Sequence, residues 1–149
     1  MKTRILFVCH GNICRSPVAE FVMKKLVKDA GRETEFAIAS CATSTEELGN
    51  PIYPPSAACL RQHKIPFSDH RARQLTKQDY SEYDMILYMD AWNLRNILRI
   101  IGSDPDGKVR RLLDFTEHPR DVADPWYTRD FEAAYQDILD GCTALLAKV

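Results

Sequence analysis

No stretch of this 149-residue sequence approaches the ~18 consecutive apolar residues that a membrane-spanning helix requires. The N-terminal apolar run, Ile5–Val8, is also shorter than the roughly 7–15 residues of a signal-peptide core, so the reading is a cytoplasmic protein without membrane insertion. Nor is there an excess of one charge: 20 Lys+Arg stand against 21 Asp+Glu, a formal net charge of −1. That balance argues against nucleic acid as a partner and confines any anion site to a local pocket. The five cysteines, Cys9, Cys14, Cys41, Cys59 and Cys142, are odd in number and contain no CxxC pair, so neither a disulfide framework nor a metal ribbon is indicated. Most of them read as small buried apolar residues. No repeat, low-complexity tract or linker interrupts residues 1–149, which read as one domain. A chain of that length buries roughly 70% of its unfolded surface without staples.

What is present is an alternation of strand and helix patterns. Arg4–Val8 is a continuous apolar run suited to a strand covered on both faces. Helical spacing follows in Val18, Phe21, Val22, Leu26 and Ala30, with Ser16 as the expected N-cap, Pro17 as first helical residue and Gly31 as terminator. Further strands are expected at Glu35–Ser40, Met85–Met89 and Val109–Leu113, and further helices at Ser56–His63, after Asp90, and from about Asp130. The stretches up to Pro55, from Pro66 to Tyr80 and over Asp114–Arg129 read as polar or irregular, and Gly141 weakens the middle of the last helix. This order predicts an α/β fold: a four-stranded parallel doubly wound sheet flanked by helices on both faces. Ligands in such sheets bind beyond the carboxyl ends of the strands, where Cys9, Ser40 and Asp90 would emerge.

The loop Cys9-His10-Gly11-Asn12-Ile13-Cys14-Arg15-Ser16 places a thiol at the end of a buried strand and an arginine at the start of a helix. Gly11 permits sharp backbone curvature between them. Successive backbone N–H groups in such a turn can converge on a phosphate-sized anion, aided by the helix N-terminus. Arg15 adds a planar fork of donors for two phosphate oxygens. The same field favours a thiolate at Cys9, lying under the phosphate for in-line attack on phosphorus and a phosphocysteine intermediate. Ser16 is placed to hydrogen-bond that sulfur as well as to cap. Asn12 suits a left-handed turn position. Cys9 and Cys14 flank one tight loop, which makes Cys14 a candidate redox partner.

Val8-Cys-His-Gly-Asn-Ile-Cys-Arg-Ser-Pro17 resembles the phosphate-binding loop of the low-molecular-weight protein tyrosine phosphatases, and the likeness continues at Ser40, Tyr88-Met-Asp90 and Asp124-Pro-Trp-Tyr127. The resemblance implies hydrolysis of aryl phosphates through a phosphocysteine, with a phosphotyrosine-containing protein as substrate, no metal and no cofactor. Inorganic phosphate would be both product and competitive ligand. It implies Cys9, Arg15 and Asp124 as catalytic residues, Asp124 donating a proton to the leaving group and then activating water. Ser40 would hold Asn12, and His70 would support the loop, through Asp90 in one reading. Trp126 and Tyr127 would pack on the substrate ring or on the core. Leu48 stands where many relatives carry an aromatic on the opposite rim, with Tyr53 near enough to compensate. His10 would point to the rim, and His63 and His118 to the surface.

Two enzymes on the same fold compete with this reading. An arsenate reductase needs a relay of three cysteines, and Thr76–Asp90 contains none. A protein-arginine phosphatase would carry a threonine where this chain has Ile13. A phosphocarrier has no use for Arg15 or Asp124, and a plain phosphate-binding module needs no thiol.

Overall fold

The computed structural model describes residues 2–149. Four strands, β1 (Thr3–Cys9), β2 (Phe36–Ala42), β3 (Met85–Tyr88) and β4 (Val109–Arg111), form one sheet in the order β2-β1-β3-β4. Every pairing is parallel. Both faces of the central strand are dry. Ile5, Phe7 and Cys9 join the apolar core beneath α1 (Arg15–Asp29), α2 (Pro54–Gln62) and α6 (Phe131–Lys148). Leu6 and Val8 pack on the opposite side with Leu75, Ile86, Ile97 and Ile101, beneath α3 (Lys77–Glu82) and α4 (Ala91–Ile101). This explains the unbroken apolar run of β1, which has no solvent face on which to alternate. The strand order reverses between β1 and β3, so the loops leaving these neighbours open a crevice at their carboxyl ends.

Several boundaries depart from the sequence reading for identifiable reasons. Helix α1 starts at Arg15, with Cys14 in the cap position and no side-chain capping bond. Ser16 is therefore inside the helix, and its hydroxyl is used elsewhere. Pro17 is tolerated because the N–H it lacks has no partner within the first turn anyway. Gly31 ends the helix as expected, at φ +72°. Helix α2 begins two residues early, at Pro54. The polar stretch after Pro66 contains α3, which buries little apolar surface but is closed by a capping box between Thr76 and Asp79. Strand β4 gives way to a 3-10 turn at Leu112–Phe115, and a short helix, α5 (Pro125–Thr128), interrupts the irregular stretch.

Gly141 in the middle of α6 is a packing residue. A Cβ there would stand 2.6 Å from Leu112 Cγ, so the absent side chain is what lets α6 approach the 3-10 turn. Among the described residues no helix is long and apolar enough to cross a membrane.

Candidate active site

The loop between β1 and α1 is shaped around Asn12. Asn12 is fully buried and takes φ +58°, the left-handed conformation that asparagine tolerates better than most residues. Its amide Nδ2 donates to Ser16 Oγ at 2.8 Å and to Ser40 Oγ at 3.0 Å, and its Oδ1 accepts from the Arg73 backbone N–H at 3.3 Å. Its carbonyl accepts from His70 Nε2 at 2.7 Å. His70 thus reaches the loop directly rather than through Asp90. It can do so because residues 73–75 run beside the end of β2, with Ala42 N–H donating to the Arg73 carbonyl and Leu75 N–H to the Ala42 carbonyl. Gly11 does not adopt positive φ; instead Glu47 packs over it, with a Cβ at Gly11 coming to 3.4 Å of Glu47 Cγ.

Cys9 Sγ, at the end of β1, lies 3.0 Å from Ser16 Oγ and 3.4 Å from the Ser16 backbone N–H. The first turn of α1 therefore presents donors to the sulfur and has no side-chain cap competing for the space. Arg15 is buried and held by one nitrogen: Nη1 donates to Asp90 Oδ2 at 2.6 Å and to the Val122 carbonyl at 2.8 Å. Its Nη2 stands 3.4 Å from Asp124 Oδ2. Burial alone would depress the Arg15 pKa, but the neighbouring Cys9, Asp90 and Asp124 overcome that and raise it, so the guanidinium stays charged. Asp90 serves two elements at once, since its other oxygen caps α4 by accepting from Asn93 N–H at 2.9 Å.

The loop carrying Asp124 is tied to the end of β3 by Val122 N–H donating to the Met89 carbonyl at 2.9 Å. Asp124 caps α5 through Oδ1, which accepts from Trp126 N–H at 3.0 Å, leaving Oδ2 facing Arg15. Cys9, Arg15 and Asp124 come together in one cleft of about 270 Å³, lined further by His10, Ile13 and Cys14, with Trp126 and Tyr127 on one wall. Trp126 packs on Tyr53 with centroids 4.9 Å apart and the rings tilted by 52°, while Tyr127 is 82% exposed. Burial pushes the Cys14 thiol up to about 12, with the negative charges of Cys9 and Asp124 adding to it, so Cys14 rests as a thiol at neutral pH.

One expected rim residue is not in the cleft. Leu48 is 49% exposed and does not line it; Glu46 and Glu47 form that wall instead. Glu46 pairs with His10 at 2.9 Å, which does lie at the rim, and Glu47 accepts from Asn50 Nδ2 at 2.6 Å. Glu20 is a further residue that the sequence reading passed over. Its buried carboxylate accepts from Ser40 Oγ at 2.6 Å, so the hydroxyl that receives Asn12 is itself fixed from behind. Its position on α1 next to a strand-end serine was the only signal, and a polar residue in an amphipathic helix carries little. His63 is not a free surface residue but stacks on Tyr135 and bonds Glu132.

A doubly wound sheet with a thiol and a buried arginine closing one anion-sized loop at its crevice defines a cysteine-based phosphatase of the α/β class. The chain belongs to the low molecular weight phosphotyrosine protein phosphatase family, whose model matches residues 4–149. It is 42% identical over 149 residues to the low molecular weight phosphotyrosine protein phosphatase of Gallus gallus, covering 97% of this chain and 94% of that one. It is 38% identical over 147 residues to the low molecular weight protein-tyrosine-phosphatase YfkJ of Bacillus subtilis, again with 97% and 94% covered. The crystal structure of YfkJ superposes with a TM-score of 0.94 over 99% of this chain and 94% of that chain. That of Vibrio vulnificus Wzb in complex with benzylphosphonate superposes with a TM-score of 0.85 at 28% identity, over all of both chains.

Proposed function

We propose that the protein is a cysteine-dependent protein tyrosine phosphatase that hydrolyses the aryl phosphate of phosphotyrosine through a phosphocysteine intermediate. The observation that carries the reading is the convergence of Cys9, Arg15 and Asp124 on one cleft. Cys9 Sγ attacks phosphorus in line while the loop N–H groups and Arg15 hold the non-bridging oxygens. With Nη1 committed to Asp90 and Val122, the Nε and Nη2 edge of Arg15 is the part left for phosphate. Asp124 protonates the departing phenolate, then removes a proton from the water that attacks the phosphocysteine. Ser16 donates to the sulfur and stabilises it as the leaving group of that second step.

Support for tyrosine over the alternatives comes from the walls and the thiols. An apolar Ile13 and the aromatic pair Trp126 and Tyr127 offer a flat ring more contact than a guanidine. Reduction of arsenate by a cysteine relay lacks its later members, since only Cys9 and Cys14 line the cleft and burial raises the pKa of Cys41 and Cys142. The site's substrates are proteins bearing phosphotyrosine, and inorganic phosphate is product and competitive ligand. Benzylphosphonate, which the Vibrio vulnificus relative binds, is a suitable non-hydrolysable probe. Initial rates on matched phosphotyrosine, phosphoserine and phosphoarginine peptides test the reading: phosphotyrosine should lead clearly, and a lead by phosphoarginine would overturn it.

A further inference from the structure

Away from the cleft, on the side of α2 that meets α6, three metal-type donors come together that the phosphatase chemistry does not use. Cys59 and His63 lie four residues apart, at the end of α2 and just past it, and Glu132 is the second residue of α6. Their donor atoms all lie within 4.8 Å of one another. His63 Nε2 is 2.7 Å from Glu132 Oε1, and Cys59 Sγ is 3.8 Å from the same oxygen.

We propose that Cys59, His63 and Glu132 form a binding site for a zinc-like divalent ion that fastens α2 to the first turn of α6. Zinc at about 2.0–2.3 Å from sulfur, nitrogen and oxygen in a tetrahedron sets its ligands roughly 3.3–3.7 Å apart. The two observed separations bracket that range and the remaining sulfur–nitrogen pair lies within 4.8 Å, so the three donors close on one ion if the half-exposed Glu132 carboxylate gives up its direct bond to His63 and the side chains adjust by about an ångström. The groups behind the ligands are already those a metal site uses. The Tyr135 ring stacks on His63 at 3.9 Å and 11°, fixing the imidazole plane, and Gln136 Nε2 donates to Glu132 Oε2 at 2.8 Å, orienting the carboxylate. Cys59 is buried and has only long sulfur contacts, to Glu132 Oε1 and to the Phe131 carbonyl at 3.9 Å. Binding releases the thiol proton to solvent and replaces the direct His63–Glu132 bond with two bonds to the ion. Sulfur and imidazole select zinc or cobalt over magnesium and calcium, which prefer all-oxygen sites. The partly exposed His63 and Glu132 leave the fourth position to water.

The ion would brace the neighbouring rim, because Tyr53 precedes α2, Phe131 opens α6, and their tilted rings are in contact with centroids 5.9 Å apart. The test uses the full chain carrying Cys9→Ser, which removes the competing thiolate of the cleft. Titration with Co²⁺ should give one equivalent bound with a sulfur-to-cobalt charge-transfer band, and Zn²⁺ should displace it and raise the melting temperature. Cys59→Ser should abolish the band. Glu132→Gln and His63→Gln should each weaken binding at least about tenfold, since even the partners of ligands are worth that much. Glu132→Gln changes a half-exposed helix position, so it keeps the test informative even if Cys59→Ser fails to fold. Absence of binding at micromolar metal, or undiminished affinity in a folded variant of any of the three, overturns the proposal.

Discussion

Ser16 Oγ lies 3.0 Å from Cys9 Sγ, although the two are seven positions apart along the chain. The same oxygen accepts from Asn12 Nδ2 at 2.8 Å, which turns its own hydrogen away from Asn12 and toward the sulfur or the Cys41 carbonyl 3.4 Å away, and a negatively charged sulfur is the stronger acceptor of the two. The loop thus delivers both the thiol and the donor that stabilises its anion. Ser16→Ala should cut turnover of an activated aryl phosphate by about 10–100-fold, the worth of one hydrogen bond to a charged group. Cys9→Ser should abolish turnover, with more than a hundredfold loss, while inorganic phosphate still binds the N–H cradle and Arg15. Phosphate titration of the variant followed by NMR, beside steady-state rates, checks both; residual activity above about a hundredth of wild type would exclude a covalent route through Cys9.

Asp124 faces Arg15 through one oxygen and the open cleft beyond it. As a proton donor it matters in proportion to how badly the leaving group needs a proton. Asp124→Asn should slow phosphotyrosine hydrolysis by about 10²–10⁴-fold and a nitrophenyl ester far less in its first step. Pre-steady-state bursts separate that step from phosphocysteine breakdown. Equal losses on both substrates in the burst would move the role to another carboxylate.

Cys14 lines the same cleft as Cys9 but is held as a thiol, its pKa pushed up to about 12 by burial. Oxidation should therefore begin at Cys9 and be resolved by Cys14, giving a disulfide that thiol reductants reverse. Only the Cys14 thiolate attacks, and below pH 12 its fraction grows about tenfold per pH unit, so bridge formation should accelerate from pH 7 to pH 9 and over-oxidation of Cys9 should recede. Peptide mass mapping after peroxide at several pH values measures the ratio. A ratio flat in pH, or Cys14 recovered free throughout, would contradict the arrangement.

At Gly141 two effects oppose each other, and their sizes decide the sign. Alanine in a helix interior gains about 1 kcal/mol over glycine. A Cβ at 2.6 Å from Leu112 Cγ, in a fully buried site, overpacks the core at a cost of about 1–3 kcal/mol. Gly141→Ala should therefore lower the unfolding midpoint in urea or leave it at best unchanged. Gly141→Ala with Leu112→Ala should show positive coupling between the sites; a stabilised single variant would mean that Leu112 moves freely.

That glycine shows where the sequence was and was not legible. Unbroken apolar runs mark β1 and β3, which are covered on both faces, helical periodicity marks α1, α4 and α6, and the spacing of thiol and arginine marks the loop. Helix α3 escaped because its six residues are held by the Thr76–Asp79 capping box rather than by an apolar stripe. For Ser16 the expected bond to the Cys9 sulfur is present and the expected cap is not: the helix starts one residue earlier, and the hydroxyl also receives Asn12, a contact that no local pattern encodes. Register with relatives points Leu48 to the rim, whereas Glu47, packed over Gly11, lines that wall. Glu20 and the direct bond from His70 to the Asn12 carbonyl depend on segments 20 and 58 residues away from their partners in sequence.

Substrate choice should follow from the depth of the sulfur and the aromatic wall above it. Cys9 is buried at the end of β1, and a phosphate that reaches it must be carried on an arm long enough to clear Ile13 and Trp126. The phenyl ring of phosphotyrosine does this and stays flat against the wall, whereas phosphoserine brings its peptide backbone into the rim. Phosphotyrosine peptides should exceed matched phosphoserine peptides by at least ~10²-fold in kcat/KM, or roughly 2.7 kcal/mol in transition-state binding. Trp126 is braced by Tyr53, but Tyr127 is 82% exposed and has only the ring of the substrate to cover. Tyr127→Ala should therefore raise KM for phosphotyrosine peptides with little change in kcat, because a contact equal in ground and transition states alters binding alone. It should narrow the gap between the two peptide classes without closing it, since Ile13 and Trp126 remain. Steady-state kinetics of both enzymes on both peptides decide the matter: equal kcat/KM for the two classes in the wild-type protein would refute selection by depth, and a fall confined to kcat in the variant would place Tyr127 in the chemical step instead.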